Sequence, residues 1–441
     1  MFNLQLRKLL TFYLPMMNTS IGRFAPNAFS RSLHLLMKNW SIKFSLYLNY
    51  FVFAILLNSV GIVILKAQKN YLVDEVQAST LELFKDMPIA LVSFVIASFL
   101  PRIGYKKAML VGLSLVVIAC LGMYLGNSFL AAKLLFAGVG IAFALIKVSV
   151  YSSIGLLTSS PKEHNSLMSS IEGFFMVGIA VAYFLFPAFN SSDANGWLRV
   201  YLLLATLAAA SFLFLWFTPF SENHDIDAGQ SVWQDMSQMK LLLGKLLVLV
   251  FVASSFLFVM VEQGIMTWLP TFNNRILQLN EDLGIMMASI LAISLAAGRL
   301  IAGFLTKFIS WFWIISVCIG IAMAMVLFLL PQTLQLTIGE VNTLADIPFI
   351  GYTFPLIGLF IAPIYPLLNS VVLSATPKKL HSPMTGLIVI FSALGGTLGS
   401  RIIGWLFKTQ GGENAFYFTL IPMALLLVAL ILLQKLTKKP F

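Results

Sequence analysis

Charged side chains are scarce in this 441-residue sequence, at 10% against 59% hydrophobic, and a few of them stand inside long apolar runs. Lys147 lies ten residues before the end of the run 130–157. In a helix that is about 15 Å deep, near the bilayer centre and too deep for an ammonium to snorkel out easily. No acid occupies the positions three or four residues away, so its partner must sit on another segment or be a ligand. An anionic solute, a coupling acid and a structural ion pair all meet that need. Glu262, followed by Gln263, lies midway along the run 245–270. Desolvation disfavours a charged carboxylate, so such a group is suited to exchanging a proton. Glu82, Lys85 and Asp86 share one helical face, where Lys85 can bridge both acids. They read either as an interfacial salt bridge near one mouth or as a proton-access and gating network. Glu172 is expected to anchor an inner gate by answering Arg102 or Lys106. Arg299 and Arg401 are read as lying near the cytoplasmic ends of their helices, where they reach headgroups or cap carbonyls.

Uncharged groups complete the candidate set. Asn58, Tyr151, Gln263, Trp268, Tyr365 and Asn369 could join Lys147 in holding a polar solute, and Asn49 and Tyr50 stand nearby. Tyr365 and Asn369 are four apart and share a face, whereas Asn49 and Asn58 cannot both face one cavity. The same chemistry fails elsewhere. Cys120 and Cys318 lie in separate apolar runs, and the four histidines fall in loops or tails, so neither a disulfide framework nor a metal cluster is expected. There is no phosphate-loop motif for an ATP-driven pump and no nucleophile or metal set for an enzyme. No cofactor is expected.

These residues need elements to position them. The mean hydropathy of +0.92 excludes an ordinary soluble enzyme, a disordered chain and a nucleic-acid binder. A bilayer-crossing helix takes about 20 apolar residues. Twelve such spans are expected, at 44–66, 78–101, 108–126, 130–157, 166–189, 197–218, 245–270, 283–305, 310–330, 347–374, 384–407 and 414–435. The layout is a basic extension over 1–43, a six-helix bundle over 44–218, a central loop over 219–244, a second six-helix bundle over 245–435 and a tail over 436–441. With the N-terminus inside, the inner segments carry 18 Lys and Arg and the outer ones 6. That bias sets both termini in the cytoplasm. It also accounts for the net charge of +11 without a polyanionic partner.

The two halves echo each other. Ile96–Arg102 closes the second span as Ile301–Lys307 closes the eighth, with four of seven positions identical. Pro161, Lys162, Ser166 and Met168 are matched by Pro377, Lys378, Ser382 and Met384. Such a parallel repeat is the layout of alternating-access carriers. The stretch Ala97–Leu110 then resembles the signature between the second and third helices of the major facilitator superfamily, through Ala97, Arg102, Gly104, Lys106 and Lys107, with Pro101 in place of the signature aspartate. Gly298-Arg299 and Trp268–Phe272 resemble the same superfamily. Gly104-Tyr105-Lys106 and Gly358–Pro366 are most similar to its fucose-permease-like branch, whose members resemble proton–sugar symporters with acids in the first and fourth helices. This chain offers no acid in the first and Lys147 in the fourth.

The resemblance implies an all-α polytopic membrane protein with twelve transmembrane helices in two six-helix pseudo-repeats. It implies a secondary carrier of a bacterial inner membrane, working as a monomer. The expected partners are a small polar solute, protons and the bilayer, with no nucleic acid. Lys147 points to an anionic solute such as a carboxylate, a siderophore or a sugar acid, moved by proton symport. The alternatives are a proton-coupled sugar permease and efflux by proton antiport. Glu262, Glu82 and Asp86 are the expected proton-coupling groups, and Lys85, Arg102, Glu172 and Arg299 the expected gate. Residues 1–36 read either as sequence upstream of a start at Met37 or as a basic amphipathic segment on the inner leaflet.

Overall fold

A computed structural model describes residues 25–158, 161–189, 195–220, 239–335, 341, 343–377 and 380–437. Some helical side chains, including those of 25–40 and of Arg102, are outside the described set. The same holds for most of the expected central loop and for the start of the expected N-terminal extension. Contacts divide the chain into two compact units, Met1–Phe44 and Ser45–Phe441. The second unit holds every candidate residue.

The architecture is helical, and the helices follow the apolar runs. Eleven described helices are long and apolar enough to cross a membrane. The twelfth expected span, 78–101, is the 24-residue helix Thr80–Ile103. It is long enough to cross, at about 1.5 Å per residue, and carries Glu82, Lys85 and Asp86 in its first turns. Local chemistry sets the ends. Ser128 caps the fourth helix, Phe129–Leu157, by accepting from the Ala131 N–H. The second helix stops at Gly104, whose φ of 92° admits the turn into the third helix, Tyr105–Gly126.

Not every span is one unbroken rod. The first runs through Ala25–Asn58, breaks at Ser59 and resumes as Val60–Asn70. The eighth is split into Glu281–Met287 and Ser289–Leu305. The tenth is a chain of short pieces from Phe349 to Ala375, punctuated by Pro355 and Pro363. The fifth, seventh and eleventh are long, at Pro161–Ala188, Leu246–Arg275 and His381–Gln410.

Packing follows small residues. A Cβ on Gly395 would lie 2.2 Å from the Phe256 carbonyl, and one on Gly399 2.2 Å from that of Met260, so the seventh and eleventh helices touch backbone to backbone. Gly61 meets Thr267 in the same way and brings the first helix against the seventh. Large apolar side chains such as Leu125, Leu300 and Phe328 stand exposed, as a lipid-facing surface requires.

Candidate functional site

The fourth helix sets Phe143, Lys147 and Tyr151 one turn apart. The Lys147 ammonium lies 5.7 Å from the Phe143 ring centre and 5.9 Å from that of Tyr151. Phe175 of the fifth helix and Tyr50 of the first close this aromatic wall, with ring centres 5.7 Å apart. Tyr151 donates its hydroxyl to Glu172 of the fifth helix. Glu172 is near enough to Lys147 to act on its charge, but among the described residues no carboxylate lies within 4 Å of that ammonium. Lys147, Tyr151 and Glu172 are half-buried despite their depth in the bundle.

Phe175 also lines a cavity of about 160 Å³ between the two halves. Its polar lining is Asn58, Glu262, Gln263 and Arg299. Arg299 donates to the Glu262 carboxylate at 3.3 Å. Tyr365 stacks on Phe258 at 5.6 Å and lies within electrostatic range of Glu262, Arg299 and Tyr151. Its hydroxyl lies 3.4 Å from that of Ser392, and Asn369 follows one turn later on the same helix. Asn58 faces the cavity while Asn49 packs inside the N-terminal half, accepting from Ser211 at 2.6 Å.

Several expected partnerships are replaced by others. Glu262 and Lys147 do not pair, because Arg299 lies one helix away from Glu262 and answers it first. Lys106 does not meet Glu172. It donates to the carbonyls of Trp216 and Thr218 at 2.9 and 2.8 Å, at the end of the sixth helix, where a cation suits the exposed carbonyls. The Arg102 side chain is outside the described ones. Trp268 does not reach the cavity. It is fully buried, donates to the Ser400 carbonyl at 2.9 Å and stacks on Phe407 at 5.2 Å. Arg401 is at the other end of the bundle from that expected, because an eleventh helix runs in the same direction as the first. It donates to the Val76 carbonyl at 2.8 Å.

That end, carrying the loops at Asp74 and Glu281, is here called distal. The halves are tied together across it. Lys66 and Lys69 both pair with Glu281, the latter at 2.8 Å. Arg275 pairs with Glu75, and Lys408 with Asp74 at 2.8 Å. The Lys408 ammonium, helped by the Gln77 N–H, holds the Asp74 carboxyl below the usual carboxylate range. Beneath these pairs sit Glu82, Lys85 and Asp86, all buried. Lys85 lies 2.6 Å from Glu82 and 3.5 Å from Asp86. Glu82 also accepts from the Thr267 hydroxyl of the opposite half. The triad therefore occupies the boundary between the halves and not a lipid-facing rim.

Phe143 at four residues before Lys147 was legible from spacing, and Phe175 and Tyr50 from their types. The cross-chain partners Thr267, Ser400 and Glu281 carry no such local signal.

The sequence model of the Major Facilitator Superfamily matches residues 44–357. Among solved structures, a D-xylose–proton symporter shares a TM-score of 0.68 at 15% identity, covering 90% of this chain and 97% of its own. A nucleoside transporter also gives 0.68 at 15% identity, with 89% and 99% covered. The E. coli fucose:proton symporter gives 0.60 at 12% identity, with 88% and 98% covered. Curated protein sequences give no significant match. At these identities the structural likeness is one of fold.

Proposed function

The chain belongs to the Major Facilitator Superfamily, and from that premise we propose that this membrane transporter moves a small anionic organic solute by alternating access, coupled to protons in symport. The observation that carries the reading is the Lys147 ammonium, deep in the bundle, half-buried, and without a carboxylate within 4 Å among the described residues. A cation there is costly until an anion meets it. A carboxylate, a carboxylate siderophore or a sugar acid would do so. Arg299, with its side chain 34% exposed, offers a second donor fork from the opposite half.

The elements support a division of labour. Lys147 would take the solute's charge, with Tyr151 and Tyr365 offering hydroxyls and Asn58 and Gln263 amides. The aromatic wall would desolvate the solute's carbon skeleton and exclude water. Glu172, held by Tyr151, would stay within electrostatic range of Lys147 and offset part of its charge without displacing the solute. The Lys and Arg bias supports both termini in the cytoplasm. On that orientation the tied distal end faces outward and the chain is held in a cytoplasm-facing state.

One feature favours a second reading. Tyr151 and Phe175, half-buried and backed by the buried rings of Tyr50 and Phe143, offer ring faces suited to stacking on a neutral sugar. A bound ligand stabilises the folded state by RT ln(1 + [L]/Kd). Thermal unfolding of the detergent-purified protein against organic acids and siderophores, neutral sugars, and lipophilic cations separates the readings. An upward shift with an acid, lost in Lys147→Gln, is expected. A Lys147→Gln variant that keeps the acid-induced shift defeats the anion assignment. A shift with sugars alone supports the permease, and one with lipophilic cations alone supports efflux.

A further inference from the structure

The buried triad holds one more acid than it has cations. Glu82, Lys85 and Asp86 are 1%, 5% and 7% exposed. Lys85 is the one cation within 4 Å of either acid among the described residues. With all three ionised, this buried site carries a net charge of −1. Other carboxylates are better matched. Glu262 has Arg299, and Glu281 has two lysines. An unbalanced charge in a dry site is unstable relative to its neutral form. The nearby cations of neighbouring helices are turned to other partners: Lys133 of the fourth lies over the Phe84 ring at 5.5 Å, and Arg401 of the eleventh donates to the Val76 carbonyl. The fifth contributes Tyr183, which acts on Glu82 as a neutral phenol. The seventh contributes the Thr267 hydroxyl and the Gln263 amide stem, and the eleventh contributes Gly396. The fourth brings Gly140 against the Lys85 carbonyl.

We propose that the Glu82–Lys85–Asp86 triad is a proton-binding site, in which one proton shared by the two carboxyls is taken up as the distal end closes and given up as it opens. The second helix brings the triad, but the lid over it belongs to the other half. Thr267 holds Glu82, and Gly396 lies against Asp86. Parting the halves at the distal end removes both contacts and admits water, and both acids then ionise beside Lys85. Closing reverses this and traps the proton, which exchanges only with the distal side and is therefore distinct from a proton carried across with the solute. The site adjoins the solute cavity, because the Gln263 stem and the Asp86 carboxylate both crowd the same face of Gly396, and Gln263 lines the cavity. A trapped proton and a bound solute would therefore share a wall.

The inference rests on the alternating-access reading, and its test uses no solute. Nitroxides at Leu72→Cys and Gln410→Cys, exposed distal positions on opposite halves, report the separation by double electron–electron resonance. The full-length chain is placed in lipid nanodiscs with Cys120 and Cys318 changed to Ala. As pH rises from about 6 to about 9, the ratio of distal-open to distal-closed molecules should climb by up to about tenfold per pH unit, the limit for one linked proton. Glu82→Gln and Asp86→Asn each remove the surplus charge, so each should stay closed throughout. Either variant serves if the other does not fold. The rim acids Asp74 and Glu281, held down by their lysines, lose their ion pairs on acidification, so their contribution has the opposite sign. A wild-type ratio indifferent to pH overturns the proposal, as do variants that still titrate like the wild type. The anion assignment stands or falls separately, on the Lys147→Gln thermal shift.

Discussion

The hydroxyl of Thr267, on the seventh helix, donates to the carboxylate of Glu82, on the second. Both groups are buried, and the bond crosses the boundary between the two halves. Its position beneath the distal ion pairs gives it leverage on closure. Thr267→Val keeps the side-chain shape and removes the donor. A buried acceptor left without its partner costs about 1–3 kcal/mol. On the proposal above, parting the distal end breaks this bond, so the variant should shift molecules toward a distal-open form. A lower thermal midpoint together with a longer distance between distal labels checks this. An unchanged distance would mean that the bond contributes nothing to closure.

The eleventh helix offers a matched pair of tests for packing. A methyl at Gly399 would lie 2.2 Å from the Met260 carbonyl, whereas one at Gly173 of the fifth helix meets nothing within 4 Å. Gly399→Ala must push two helices apart and should cost about 1–3 kcal/mol. Gly173→Ala should be neutral or stabilising by about 1 kcal/mol, from helix propensity. Thermal unfolding of both variants in one detergent decides it. Equal midpoints would remove close backbone packing from the account of this interface.

The distal rim should be sensitive to acid in a defined direction. The Lys408 ammonium holds Asp74 below the usual carboxylate range. A depressed acid contributes above its unfolded value, about 3.9, and that contribution fades as pH falls through the lower folded value. Between pH 7 and 5 the Asp74–Lys408 pair should therefore be constant, and below about pH 4 it should fail. Both groups are exposed to water, so salt should weaken the pair as well. Distal label distances at about pH 7 and pH 3.5, with and without added salt, measure it. Asp74→Asn should abolish this acid response, and its persistence in that variant would point to Glu281, which two lysines hold down.

Spacing alone carried much of the architecture. Runs of about 20 apolar residues become helices because the bilayer leaves the backbone no other way to satisfy itself. The second span was legible even with three charges in it, since these fall on one face and neutralise partly among themselves. The candidate site was readable to the extent that a deep charge advertises itself. Lys147, Glu262, Gln263 and Asn58 were singled out on type and depth, and the last three line one cavity. Partner choice was not readable. Glu262 meets Arg299 and Trp268 meets Ser400 because of how neighbouring helices rotate and slide, and no local pattern encodes that. Arg401 was misplaced for a simpler reason. Its helix direction follows from counting crossings, and that count puts it beside Val76.

The Glu262–Arg299 pair allows the last test, by a double-mutant cycle. Arg299 contacts the Glu262 carboxylate at 3.3 Å and the Met176 sulfur at 3.7 Å, so it bridges the two halves through the cavity. Removing one member of such a pair leaves the other charge poorly compensated, whereas removing both leaves two neutral amides. Arg299→Gln should therefore lower the thermal midpoint, and adding Glu262→Gln should restore part of the loss, with a coupling of about 0.5–3 kcal/mol. Glu262→Gln alone should be milder, because Arg299 is the more exposed partner at 34% against 16% and keeps access to water. Additive losses in the double variant would mean that the two residues act independently. Arg299 would then hold its place through Met176 and the fifth helix, and Glu262 would be free to meet a solute cation or a proton.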